Sequence, residues 1–185
     1  MKTSLTNAQR LCFATAACGT ALLLLVAAGL AADAARGAAS RAAPACSAAG
    51  TQVWLGLGGG GGFAGGVGYP LEFSNVGHRT CTLYGYPGVS ATRAGRQVGP
   101  AASRVGERHS AITLAPGATA HASLTIHDWG AVCGKPTTAS GLKVYPPGQR
   151  TSKTIDLSVA VCAHRGVLGV GAVRAGVGIP GYISQ

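Results

Sequence analysis

Apolar positions along the chain fall into two regimes. From residue 11 to residue 32 no residue is charged, and Leu22-Leu23-Leu24-Leu25-Val26 lies at the centre of that stretch. Beyond it, apolar residues come in short runs cut by Gly and Pro, with few long helical periods. Such punctuation predicts strands and turns. Residues 51–57 form a predicted strand, and 58–68 a flexible glycine-rich connection. Tyr69, Leu71 and Phe73 alternate with polar or small neighbours in a strand that ends at Asn75-Val76-Gly77. Residues 80–84 follow as another strand. Tyr86-Pro87-Gly88 is a turn, then a short strand starts at Val89, with a hairpin tip at Ala94-Gly95 and a return over 96–98. A strand over 110–114 leads into the Ala115-Pro116-Gly117 turn. Ala118, Ala120, Ala122, Leu124 and Ile126 then make one apolar face, with His121, Ser123, Thr125 and His127 opposite. Residues 142–145 and 154–162 are the last strong strands, parted by Pro146-Pro147-Gly148. Ile155, Leu157, Val159 and Val161 share a face of the second. Roughly eight strands so spaced predict an all-β fold, an immunoglobulin-like antiparallel β-sandwich, each sheet wet on one side.

The first regime is a signal peptide or N-terminal membrane anchor over residues 1–32, drawn as a helix before the sandwich. Its leading segment carries Lys2 and Arg10, and small residues near Gly29-Leu30-Ala31 or Ala32-Asp33-Ala34 offer a cleavage site. Without cleavage the same 22 uncharged residues are long enough to span a bilayer. In both cases the rest is exported, so membrane contact is confined to residues 11–32 of an uncleaved chain. Cys18 lies before the leucine run, which excludes a lipoprotein anchor. The Ala-rich residues 33–45, with Arg36, Arg41 and Pro44, form a flexible linker. The domain proper is 46–185.

Export changes the meaning of the six cysteines. Cys12 and Cys18 belong to the N-terminal segment, leaving Cys46, Cys81, Cys133 and Cys162 for two disulfides. Three pairings are possible. Sequential pairing, Cys46 with Cys81 and Cys133 with Cys162, closes local loops, each contributing about 3.5–4 kcal/mol through chain entropy. A zinc site lacks the short Cys–Cys or Cys–His spacings that such sites use.

Several phrases resemble a known family. A Cys precedes the first strand (Cys46), and a strand closes on Phe73-Ser74-Asn75-Val76-Gly77. Next comes Cys81-x-Leu83-x-Gly85-Tyr86-Pro87-Gly88-Val89, then Leu114-Ala115-Pro116-Gly117-Ala118, Cys133 and Val161-Cys162. Over about residues 46–180 the chain resembles the actinobacterial exported domain of unknown function 4232 family. The resemblance implies a secreted or membrane-attached β-sandwich and no known activity. Many members look like lipoproteins, from which this chain departs by lacking the lipid-bearing Cys.

Charge and candidate chemistry narrow the function classes. Fifteen Lys and Arg stand against five Asp and Glu, which favours anionic surfaces. Export directs that charge toward a cell-wall polymer or an envelope protein and away from nucleic acid. Arg93, Arg96, Arg104 and Arg108 gather along one segment and are the expected contact, against a plain reading as a solvated hairpin. Gly56-Leu57-Gly58-Gly59-Gly60-Gly61 fits G-x-G-x-x-G, but more glycine follows instead of the helix a dinucleotide site needs. His121 and His127, six positions apart on an extended strand, lie about 20 Å apart, too far to share one ion. Both are expected as exposed polar positions. His127-Asp128 is the pair to nominate for a hydrolase acting on wall or extracellular material, the alternative function, although no nucleophile elbow accompanies it. Trp54 and Trp129 are expected in the core rather than as sugar-stacking platforms. The 58–68 connection is too flexible for a protease-inhibiting loop. The expectation is an exported non-catalytic binding module, secreted or on the outer face of the envelope, without cofactor or metal.

Overall fold

A computed structural model of the chain describes residues 42–106 and 110–178. The signal or anchor segment, Cys12, Cys18, linker residues 33–41, Glu107, Arg108 and His109 lie outside the described residues. Among those described, regular structure is almost wholly strand, in thirteen pieces. They are β1 (Thr51–Leu55), β2 (Gly61–Phe63), β3 (Gly66–Asn75), β4 (Cys81–Leu83), β5 (Gly88–Arg93), β6 (Arg96–Gln97) and β7 (Ser103–Arg104). There follow β8 (Ile112–Leu114), β9 (Thr119–His127), β10 (Thr137–Tyr145), β11 (Lys153–Val161), β12 (Leu168–Val170) and β13 (Arg174–Ala175).

The strands form a sandwich-like all-β fold. The larger sheet has the order β1-β3-β9-β12-β7, with β2 also on β3 and β13 also on β9. A four-stranded sheet has the order β11-β10-β5-β6, and β4 pairs with β8 separately. Pairing is antiparallel except between β12 and β7, which run parallel, so the wholly antiparallel expectation is corrected at that edge. The count exceeds the expected eight because several strands are two- or three-residue pieces.

Side-chain size sets the fit between the long strands. Leu71 and Phe73 of β3 face Ala122 and Ala120 of β9, so large meets small across each pair. All four are fully buried. In the other sheet Leu142 and Val144 of β10 lie beside Ala91 and Val89 of β5, and these too are core. Close packing leaves little room for added methylenes at the alanine positions.

Two disulfides close the domain, Cys46–Cys81 and Cys133–Cys162. The first lies beside a short parallel bridge between Ala45 and Thr82, reinforced by Cys46 N–H donating to the Thr82 carbonyl at 2.9 Å.

The glycine-rich tract is not the loose connection its composition suggests. Residues 57–59 make one 3-10 turn, and β2 and β3 form a hairpin. Gly66 sits so close to the Ile126 carbonyl that a Cβ would collide with it. Here glycine serves close backbone approach rather than looseness.

Candidate functional site

The strand pattern places Arg93 and Arg96 at the two ends of a two-residue turn. Ala94 (φ 49°) and Gly95 (φ 74°) both adopt left-handed backbone, the geometry that lets a two-residue hairpin match the strand twist. Among the described residues Ala94 is the only non-glycine with positive φ. Arg93 and Arg96 are register partners across β5 and β6, and both are exposed. Like charges placed directly opposite each other destabilise a hairpin. Strain and repulsion therefore coincide at one exposed tip.

Arg104 does not join them in the same sheet. It lies on β7, at the far edge of the larger sheet, with its guanidinium 5.7 Å from the Tyr86 ring centroid. Arg108 is outside the described residues. Residues 93–104 are thus split between two sheets, and Arg93 and Arg96 are the pair that the strand register brings together.

The histidine expectation needs correction. His127 ends β9 exposed, its ring 5.6 Å from Phe63 in an edge-on arrangement. His121 is buried at 2% exposure. It faces the equally buried Glu72 across β3 and β9. One glutamate oxygen, Oε1, accepts the Gly178 N–H at 2.7 Å, whereas Oε2 is buried without a partner among the described residues. Nδ1 of His121 is 3.0 Å from the Gly176 carbonyl oxygen. A carbonyl can only accept, so Nδ1 carries the proton. Burial pushes the Glu72 carboxyl above the ordinary carboxylate range, while the Gly178 N–H and His121 pull it back. The segment that follows β13, from Gly176 to Gly178, thus straps the outer face of the larger sheet. Local alternation gives no sign of this, because the covering Gly176 lies 55 positions further along the chain than His121.

Other nominated residues fall apart spatially or turn structural. His127 and Asp128 are both exposed, and no hydrogen bond or ion pair joins their side chains. Trp54 and Trp129 are 37% and 39% exposed, not core. Trp54 stands on edge strand β1 and donates its Nε1–H to Ser74 Oγ at 3.1 Å. Asn75 of the Asn-x-Gly phrase is buried and ties its own loop. Its Nδ2 donates to the carbonyls of Arg79 and Leu114 at 2.9 and 3.0 Å, and its Oδ1 accepts from Gly77 N–H at 3.0 Å.

The family phrases thus build turns, a loop tie at Asn75 and disulfides. Residues 46–174 match the model of the family described as Domain of unknown function (DUF4232). The chain belongs to that family. No curated protein and no solved structure matches it. Membership in DUF4232 covers the whole sandwich from Cys46 to the first residue of β13 and brings no activity with it.

Proposed function

We propose that this DUF4232 chain is exported and acts outside the cytoplasmic membrane as a non-catalytic module that adheres to an anionic polymer of the cell envelope. Two disulfides suit an oxidising compartment, and the charged-then-apolar N-terminus suits export. One observation carries the binding assignment. Arg93 and Arg96 oppose each other across a strained, exposed hairpin tip, and a bridging anion would offset their repulsion. The wider surface supports it, because exposed Lys and Arg outnumber the exposed acids, Asp128 and Asp156, among the described residues.

Retention of the purified secreted chain on isolated wall material, eluted with rising NaCl, tests this. The expected result is binding at low ionic strength and elution as salt screens the contact. The Arg93→Ala/Arg96→Ala variant should elute at distinctly lower salt. No retention of the wild-type chain at low ionic strength would sink the proposal.

A further inference from the structure

The outer face of the four-stranded sheet carries a cleft of about 370 Å³ that no function yet uses. Its volume lies at the small end of ligand pockets. The rim includes Ala94 and Gly95, the same turn that carries the arginine pair. Three strands build the rest. Thr92, Gly141 and Asp156 form one row across β5, β10 and β11, and Lys143 and Thr154 belong to the next.

Two local features hollow out the cleft. Gly141 lies on the central strand as its floor. A Cβ there would stand 3.0 Å from the Ile155 carbonyl oxygen and 3.5 Å from Thr92 Oγ1, so a larger residue would fill the depression. The β10–β11 register also shifts between Ala139 and Gly141, leaving Ser140 opposed by both Leu157 and Ser158. Such bulges re-aim side chains and gather beside functional sites. Here Ser140 is exposed and lines the cleft.

The lining chemistry is specific. Thr92 Oγ1 donates to the Gly141 carbonyl at 3.2 Å, which leaves its oxygen as an acceptor. Ser140 and Thr154 add two hydroxyls, each able to donate and accept. Lys143 contributes donors only, and is held over the Tyr145 ring with Nζ 5.7 Å from its centroid. Asp156 contributes acceptors only. Lys143 and Asp156 sit diagonally and form no ion pair with each other, so both keep free hydrogen-bonding capacity. Their opposite charges cancel, and the cleft does not select for an anion. Neighbouring hydroxyls of a polyol or sugar can donate to Asp156 and accept from Lys143 at once.

We infer that this cleft takes the polyol or sugar unit of a phosphate-linked polymer whose phosphates engage the Arg93–Arg96 tip. The inference rests on the anionic-polymer assignment and names its substrate class. The turn shared by cleft and tip places neutral and anionic subsites side by side, matching a chain that alternates hydroxylated units with phosphates.

The test compares two immobilised polyanions, poly(ribitol phosphate) and inorganic polyphosphate, as ligands for the full secreted chain. The first carries hydroxylated units and the second does not. The cleft should favour poly(ribitol phosphate) by about tenfold in Kd, the scale of one or two added polar contacts. Thr154→Ala/Asp156→Ala, at two exposed positions that leave the core intact, should bring that ratio close to one. Losing Asp156 raises the net positive charge, so general electrostatics predicts tighter binding to both polymers instead. Equal wild-type affinity for both, still weakened by Arg93→Ala/Arg96→Ala, would overturn the cleft and leave the arginine contact standing. So would a preference that persists in Thr154→Ala/Asp156→Ala. Failure to bind either polymer would overturn both.

Discussion

Glu72 and His121 face each other across β3 and β9, and each holds one backbone group of the same segment, Gly178 and Gly176. Both side chains are buried on the face of the sheet turned away from the core, under a strap that follows β13. Around Glu72 the facing groups are Trp54 on β1 and His121 on β9, with Arg174 of β13 beside His121. His121 is thus the nearest titratable neighbour among them.

The raised carboxyl of Glu72 has a definite sign in stability. The native state binds this proton more tightly than the unfolded chain does. Its contribution is fully present below the unfolded carboxylate pKa of about 4.3 and is lost as pH rises through the native value. Glu72→Gln keeps an acceptor for Gly178 and removes the titration. Urea unfolding from pH 4 to pH 8 should therefore show a smaller decline with rising pH in the variant than in the wild type. Parallel pH profiles would refute this account of the strap.

Arg96→Glu should act in opposite directions on stability and adhesion. It turns a repulsive cross-strand pair into an attractive one, stabilising the hairpin by roughly 0.2–1 kcal/mol. The same change should shift elution from wall material to lower salt. A variant that is more stable and binds less marks a position held for contact rather than for folding; a loss of both properties would contradict that. Thermal unfolding and salt elution together read the outcome.

Ala94→Gly isolates the backbone strain. Left-handed backbone costs a residue with Cβ roughly 1–2 kcal/mol, partly offset by the entropy of glycine in the unfolded chain. The expected net gain is about 0.5–1 kcal/mol, seen as a rise of a few degrees in Tm. An unchanged or lower Tm would show that Ala94 carries no strain.

Removing the buried Cys46–Cys81 bridge by double substitution to alanine should cost about 2–5 kcal/mol in urea unfolding. The loop it closes spans 35 positions. A cost below about 1 kcal/mol, far under the usual range for a native bridge, would mean that the hydrogen bonds around Thr82 hold this corner alone.

Much of the fold was legible because its signals are local. The Ala94-Gly95 tip, the Gly117 turn, the alternation of β9 and the four cysteines from Cys46 onward each need only a few neighbours to interpret. What escaped depends on distant chain. The polar face of β9 is covered at His121 by the strap, so that residue looks exposed in sequence and is buried. Trp54 looks like core but stands on an edge strand. Residues 168–170 carry a glycine that argues against a strand, yet Gly169 is required because the Thr125 hydroxyl occupies the place of its Cβ. At the candidate site, Arg93 and Arg96 were legible from the turn between them. The separation of Arg104 was not, since it follows from the parallel β7–β12 pairing.

The Cys46–Cys81 bond also fixes how the domain would carry tension. A pull on the chain before Cys46 passes through the bond to Cys81 and on into β4, bypassing the residues between them. The β1–β3 region, with the strapped face it supports, lies off that path. A domain drawn taut between the chain before Cys46 and a surface held at the arginine tip would keep those strands unloaded.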